Sequence, residues 1–130
     1  MKDNKLTIKI KKPLAKTFAF PLDPKNTPLW IDSIVEEKTN EWPVKVGSIY
    51  RNKNKKGRWS EYALVALEKN KMFELVSKDK NYHVRYTCKP INDNTTELEY
   101  YEWVERGALE KPFTIDILEK LKFVIENRGE

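Results

Sequence analysis

The sequence predicts an α+β chain in which a curved antiparallel β-sheet packs against a long C-terminal helix. Residues 32–106 consist of strand-like segments separated by short turns, which indicates a meander of neighbouring antiparallel strands. Residues 111–127 carry apolar side chains at helical spacing. Two short helical segments bounded by prolines follow a single N-terminal strand.

Alternation and proline positions define the N-terminal elements. Residues 6–10 alternate apolar and polar side chains, which predicts a first strand with one buried face. Pro13 suits the first position of a helix, and Pro21 is expected to stop that helix. A second short helix is expected to begin at Asp23 and to end near Trp30.

Six further strands and one helix are predicted after Trp30. Turn-forming residues such as those at 92–94 separate the strands. The strands are expected at 31–38, 47–53, 59–69, 71–78, 82–91 and 95–105. The helix at 111–127 would be about 25 Å long. Pro112 suits its first turn and Gly129 follows its end.

Two short stretches resemble a known superfamily. The segment 18–30 reads FAFPLDPKNTPLW, and residues 46–51 read VGSIYR. They are similar to the Asp-Pro-x-x-x-Pro-x-Trp and Val-Gly-x-x-Tyr-Arg patterns of the START/Bet v 1-like (SRPBCC) superfamily, in its polyketide cyclase/dehydrase-like branch. The element order also matches the helix-grip fold of that superfamily, a sheet of about seven strands wrapped round the last helix. The resemblance implies a single START-like domain over residues 1–130 that encloses a pocket.

Composition favours a soluble cytoplasmic domain. No apolar run reaches the roughly 18 residues of a membrane span, and the N-terminus has no apolar signal-peptide core. Cys88 is the only cysteine, so an internal disulfide is impossible. The net charge is +5, but the basic residues are mixed with 20 acidic ones, so we expect no nucleic-acid partner. The basic cluster at 53–58 indicates a solvated hairpin turn, with a phosphate-binding patch as the alternative.

Metal binding and nucleophilic catalysis have little support in the sequence. His83 and Cys88 are the single histidine and cysteine, and their spacing places them on opposite faces of one strand. The chain contains no zinc-type spacing and no glycine-rich phosphate loop. We therefore expect neither a metal nor a cofactor. His83 is expected to be exposed to solvent, and Cys88 to be a small buried side chain.

The inward faces of the last strands predict the pocket. Leu98 resembles the leucine of the superfamily's Thr-x-Leu entry to the last strand, which points inward, and alternation places every second residue on the same face. The expected ligand-binding residues are Phe73, Leu75, Tyr82, Val84, Tyr86, Leu98, Tyr100, Glu102, Leu118 and Leu121. An apolar and aromatic surface with a few polar groups is typical of a site for an apolar ligand.

Simpler interpretations exist for the polar members of this set. The tyrosines could pack under the long helix with their hydroxyls at the rim, and Glu102 could lie near solvent at the end of the sheet. A buried Glu102 would need a partner, for which Arg51 and Arg85 are the candidates.

Three functions remain open from the sequence. The favoured one is non-catalytic binding of a small hydrophobic or aromatic molecule, lipid-like or polyketide-like, in a cavity between the sheet and the C-terminal helix. The second is a cyclase or dehydratase, in which Glu102, Tyr86 and Tyr100 are the only credible acid–base groups. The third is a protein-interaction module of the Hsp90-activator type that uses outward Tyr101 and Trp103. A monomer and a weak homodimer are both compatible with the sequence.

Overall fold

Seven antiparallel strands form one sheet in the computed structural model, which describes residues 1–128. The strands are β1 (Asp3–Ile10), β2 (Ile34–Thr39), β3 (Ile49–Asn54), β4 (Trp59–Glu68), β5 (Met72–Ser77), β6 (Tyr82–Asn92) and β7 (Thr95–Val104). Their spatial order is β1-β7-β6-β5-β4-β3-β2, so β2 to β7 form a meander and β1 returns to pair with β7. With the helices described below, this confirms the predicted α+β helix-grip fold.

Short polar turns connect the strands where the sequence predicts them. Asn70 lies between β4 and β5 and Lys80 between β5 and β6, and both adopt left-handed conformations, with φ of 61° and 67°. In the basic segment between β3 and β4, the Asn54 side chain accepts the backbone N–H groups of Lys56 and Arg58 at 2.9 and 3.0 Å. This segment is therefore a hairpin turn, as predicted.

Two short helices connect β1 to β2. The first, α1 (Leu14–Leu22), begins after Pro13 and includes Pro21 in its last turn, so the helix ends one residue later than predicted. The second is a 3-10 helix, Pro24–Leu29, and the Asp23 carboxylate accepts the N–H of Lys25 at its start. Trp30 follows directly and is 1% exposed. The proline-bounded segment thus delivers a large aromatic side chain to the core.

β2 and β3 begin later than the sequence suggests. Ile31 donates its N–H to Thr27 and its carbonyl accepts the N–H of Ile34, so residues 31–33 form a turn and β2 begins at Ile34. Gly47 has φ of 101° and lies in a turn, so β3 begins at Ile49. In both places local turn hydrogen bonds occupy backbone groups that a strand would need for pairing.

Three register shifts interrupt the sheet. They lie at 34–36 in β2, at 64–66 in β4 and at 90–92 in β6. An extra residue in one strand bends it and increases its twist. The shifts therefore contribute to the curvature that gives the sheet a concave face, and the shift in β2 also determines which of its side chains lie on that face.

The C-terminal helix, α2 (Ile115–Glu126), is shorter than predicted. Its 12 residues span about 18 Å rather than 25 Å, because residues 111–114 are not helical and Thr114, which precedes the first turn, has an extended backbone. The predicted end signal at Gly129 lies outside the described residues. Among residues 1–128, no helix has both the length and the apolar character needed to cross a membrane.

α2 packs over one side of the sheet and leaves the other side open. It contacts β1 and α1. Lys122 donates to the Lys9 carbonyl, and Glu126 accepts the Lys11 N–H at 2.7 Å, which joins the helix end to the end of β1. The core between this helix and the sheet includes Leu98 of β7 and Leu118 and Leu121 of α2, none of which is exposed. The concave face of β3 to β6 is consequently not covered by this helix.

Candidate functional site

A groove of about 870 Å³ lies over the concave face of the sheet, beside α2 rather than beneath it. Its lining residues come from β2 to β7, from residues 21–34, from the turn at 78–81 and from the segment 108–113, and none comes from α2. The predicted cavity between sheet and helix is thus displaced toward β3–β6. The shorter helix explains the shift, because the non-helical segment before it forms one wall of the groove.

Seven of the ten predicted ligand-binding residues line the groove. They are Phe73, Leu75, Tyr82, Val84, Tyr86, Tyr100 and Glu102. The other three, Leu98, Leu118 and Leu121, are fully buried in the core between α2 and the sheet. They support the groove residues and do not line it.

The floor of the groove is a continuous set of aromatic rings. Phe73 stacks on Tyr86 with ring centroids 4.5 Å apart, and Tyr86 meets Tyr100 edge to face at 5.3 Å. Tyr100 in turn stacks on Phe113 at 4.4 Å. Trp30 meets Tyr86 and Phe113 edge to face at 6.3 and 6.1 Å. Because each ring is held by its neighbours, the floor is rigid and apolar, and its rings are at most 7% exposed apart from Phe113. Trp30 supports these rings and does not line the groove.

Glu102 is buried in the middle of this site and accepts several hydrogen bonds. Its Oε1 accepts from the Tyr82 hydroxyl at 2.7 Å, with the Tyr100 hydroxyl at 3.4 Å. Its Oε2 accepts from the Asn4 side-chain amide at 2.9 Å and from the Phe113 backbone N–H at 2.7 Å. A carboxylate has about four acceptor positions, so these donors occupy its bonding capacity.

The prediction that Arg51 or Arg85 pairs with a buried Glu102 is therefore wrong. Arg51 lies on the opposite, convex face and pairs with Glu61 at 3.2 Å. Arg85 also lies on the convex face and pairs with Glu74 at 2.9 Å. Alternation explains both positions, because each arginine is adjacent in its strand to an inward-facing residue. Glu102 instead accepts hydrogen bonds from neutral donors on β1, β6, β7 and the segment before α2.

The groove tyrosines are neutral hydrogen-bonding groups. Burial is the largest cause that raises the pKa of Tyr82, and the adjacent Glu102 carboxylate raises it further. Burial likewise holds the pKa values of Tyr86 and Tyr100 well above that of free tyrosine. The Tyr82 and Tyr100 hydroxyls lie 3.1 Å apart and share the Glu102 network. The Tyr86 hydroxyl makes no hydrogen bond to another residue within 1–128.

Glu37 is a groove residue that the sequence analysis did not identify. It lies on β2, half-buried in the groove wall, and accepts from the Thr27 hydroxyl at 2.6 Å and from the Asn52 amide at 3.4 Å. Burial raises the pKa of Glu37 to about 7 despite these hydrogen bonds. The register shift at 34–36 places Glu37 inward and Glu36 outward, and alternation alone could not distinguish two adjacent glutamates.

His83 and Cys88 have the separate environments expected of opposite strand faces, but His83 is not solvent-exposed. Its ring stacks on Trp103 at 4.7 Å, and Nε2 lies 2.9 Å from Glu105, so only 16% of the side chain is accessible. Trp103 and Glu105 cover His83 on the convex face, which the alternation of polar residues in β6 did not predict. Cys88 is buried, and burial raises the pKa of its thiol to about 12. Residues 1–128 contain no His, Cys, Asp and Glu cluster suited to a metal ion.

Tyr101 and Trp103 lie on the convex face, as alternation predicts, but they are not a bare hydrophobic surface. The two rings stack at 4.9 Å, and both residues are half-buried. Lys5 lies over the Tyr101 ring and Arg85 over the Trp103 ring, at 5.1 Å in each case. These cations cover the aromatic pair, which gives the protein-interaction alternative less support than a bare patch would.

Comparisons with known proteins identify the fold. No protein-family model matches the chain. No curated protein sequence matches it either. Solved structures do match. XoxI from Bacillus cereus has a TM-score of 0.77 and 14% identity, with 100% of this chain and 99% of that chain covered.

Two further solved structures that match are described by a superfamily or protein name. A START superfamily protein from Mycobacterium smegmatis has a TM-score of 0.72 and 16% identity, with 98% of this chain and 97% of that chain covered. An Aha1 dimer from Colwellia psychrerythraea has a TM-score of 0.71 and 14% identity, with 100% of both chains covered. The chain therefore has the fold of the START/Bet v 1-like superfamily, as its sequence patterns predicted.

Proposed function

We propose that this START-like chain, acting as one domain over residues 1–130, binds a small and largely apolar ligand in the groove over β3–β7. The single observation that carries the proposal is the groove itself, whose volume of about 870 Å³ falls within the range of about 300–1,000 Å³ typical of ligand sites. Its floor of stacked aromatic rings is rigid, and the half-buried side chains of Tyr62, Leu75 and Tyr82 beside it are accessible to a ligand.

A few polar groups within the groove would orient such a ligand. The Tyr86 hydroxyl is free of hydrogen bonds to other described residues, and Glu37 keeps acceptor capacity on the wall. Aromatic surface with a small number of placed polar atoms is the usual composition of a site that binds apolar molecules selectively.

The acid–base alternative has less support than binding. A catalytic base must have a lone pair available to the substrate proton. The lone pairs of Glu102 are used by Tyr82, Asn4 and the Phe113 backbone at 2.7–2.9 Å. Glu102 is thus better suited to holding the site together than to moving a proton.

The proposal is tested with a neutral fluorescent probe, N-phenylnaphthylamine, whose emission rises in apolar surroundings. Wild-type protein should bind it saturably. Leu75→Trp fills the groove from β5 and should weaken binding about tenfold or more, because a bulky ring occupies the volume the probe needs. Val65→Trp is the matched control, since Val65 is 41% exposed and outside the groove lining.

The outcome is decided by the difference between the two variants. Wild-type affinity retained in Val65→Trp and lost in Leu75→Trp supports the groove as the site. Absence of probe binding to wild-type protein, or equal binding by both variants, would overturn the proposal. Circular dichroism and thermal unfolding confirm that each variant is folded.

The same proposal includes an assembly state of monomer or weak homodimer. The Colwellia structure that shares this fold is a dimer. Light scattering during size-exclusion chromatography, with and without the probe, distinguishes the two states and shows whether ligand binding changes them.

A further inference from the structure

Glu37 is a groove carboxylate without a cationic partner. No lysine, arginine or histidine nitrogen among residues 1–128 lies within 4.0 Å of it, whereas its neighbour Glu36 pairs with Lys53 at 3.4 Å on the convex face. Glu102, a buried carboxylate of the same groove, also lacks a cation, but neutral donors saturate it. Glu37 differs because its hydrogen bonds leave capacity unused.

The unused capacity is on Oε2. Oε1 accepts a short hydrogen bond of 2.6 Å from Thr27, but the Asn52 amide is 3.4 Å from Oε2, near the limit of a hydrogen bond. A carboxylate oxygen accepts about two hydrogen bonds. Oε2 therefore has room for a strong donor that approaches from the groove.

The side chains that interact with Glu37 are uncharged, although Lys78, Asp79 and Lys111 line other parts of the groove. Its negative charge contributes to raising the pKa values of Tyr50 on β3, Tyr62 on β4 and Tyr86 on β6, although burial is the largest cause for each. All three tyrosines are therefore neutral at physiological pH. Neutral aromatic rings beside an unpaired carboxylate form a setting that attracts an organic cation, through the carboxylate and through the ring faces.

We propose that the groove selects ligands with a protonated amine at one end, bound by Glu37, and an apolar or aromatic body that packs on the partly exposed side chains of Tyr62 and Leu75. This inference rests on the proposed ligand-binding function and names its ligand class. An ammonium group supplies the charge that the protein does not provide to Glu37, and it can donate to Oε2 directly. A neutral hydroxyl could donate one hydrogen bond but would leave the carboxylate charge uncompensated.

The test compares three ligands that share one apolar body: phenylbutylamine, phenylbutanol and phenylbutyrate. Each is titrated directly into the full chain at about pH 8.5, where Glu37 is ionised, and binding is followed by calorimetry. Wild-type protein should bind the amine about tenfold or more tightly than the alcohol, and the carboxylate most weakly.

Two glutamine variants provide the matched comparison. Glu37→Gln keeps the shape of the side chain and its ability to accept from Thr27, and it should remove the preference for the amine over the alcohol. Glu36→Gln removes an equal charge from the adjacent position on the convex face and should keep that preference. The comparison excludes a general effect of net charge.

A pH titration supplies an independent readout. Phenylbutylamine stays protonated between about pH 5.5 and about pH 8.5, so its affinity for wild-type protein should rise as Glu37 ionises. The groups that face Glu37 are Thr27 of the 3-10 helix, Tyr50 and Asn52 of β3, Tyr62 of β4 and Tyr86 of β6, and none of these carries a charge in that range. The rise should be absent in Glu37→Gln.

The outcomes separate this inference from the proposed function. Equal affinity for the amine and the alcohol in wild-type protein, or an amine preference that persists in Glu37→Gln, overturns the inference while the groove still binds ligands. Failure of all three ligands and of N-phenylnaphthylamine overturns both.

Discussion

The backbone N–H of Phe113 donates a hydrogen bond of 2.7 Å to Oε2 of Glu102, near the C-terminal end of β7. The Asn4 amide bridges the same two residues, since it donates to Glu102 and to the Phe113 carbonyl at 2.9 Å in each case. These bonds tie the backbone of Phe113 to the sheet two residues before α2 begins at Ile115. The same carboxylate thus sets the start of the helix and one wall of the groove.

Glu102→Gln should destabilise the protein by about 2–4 kcal/mol. Each oxygen of Glu102 accepts from two donors, and the glutamine –NH₂ that replaces one oxygen cannot accept a hydrogen bond. Two donors would therefore lose their acceptor inside a buried site. Urea unfolding measures the change. Glu99→Gln on the same strand removes an exposed pair with Lys5 and should cost less than about 1 kcal/mol. Equal effects of the two variants would contradict the structural role assigned to Glu102.

Leu121→Ala should be among the most destabilising single changes, at about 2–5 kcal/mol. Leu121 has no exposed surface and lies in the middle of the buried stripe of α2. Phe123→Ala removes a larger side chain from the same helix, but Phe123 is 65% exposed, so the cost should be below about 1 kcal/mol. Thermal or urea unfolding of both variants checks the order, and a reversed order would show that the helix is docked by another face.

The stability of the protein should fall as pH rises from about 4.5 to about 7, through the contribution of Glu37. Its pKa is about 7 in the folded protein, against an ordinary glutamate value of 4.5. In that window the folded chain retains a proton that the unfolded chain has released, so ionisation favours unfolding. The contribution is about 1–3 kcal/mol for a group that is only half-buried.

Glu37→Gln isolates this contribution from those of the other carboxylates. Its free energy of unfolding, measured in urea across the same pH range, should lack the fall that the wild-type protein shows. Glu36→Gln serves as the control and should retain the wild-type slope. Parallel curves for wild-type protein and Glu37→Gln would show that Glu37 does not titrate near neutrality.

The Cys88 thiol should resist labelling in the folded protein. It is 4% exposed, and burial raises its pKa to about 12, so little reactive thiolate is present at neutral pH. Reaction with a chromogenic disulfide at about pH 8 should be about 100-fold or more slower than in urea-unfolded protein. Rapid stoichiometric labelling, with circular dichroism unchanged, would show that β6 opens readily.

The order of the elements and the faces of the last strands followed from local sequence. Turn residues at 69–70, 79–81 and 92–94 separate the strands, and alternation placed Phe73, Tyr86 and Tyr100 on the concave face. These features depend on backbone preferences and on a two-residue period that any short segment displays. They predicted the fold, and seven of the ten residues expected to bind ligand do line the groove.

The position of the groove and the inward orientation of Glu37 depended on contacts between distant segments. Glu102 accepts hydrogen bonds from Asn4 and Phe113, which lie 98 and 11 residues away in the sequence. This network fixes the segment before α2 against the sheet, so the helix is shorter and the groove lies beside it. A register shift turns Glu37 inward, and pairing with β3 rather than local propensity places that shift. Local sequence determines which way a strand's side chains alternate. Only the assembled sheet decides where the alternation is interrupted and which donors meet a buried charge, because those outcomes minimise unpaired polar groups over the whole chain.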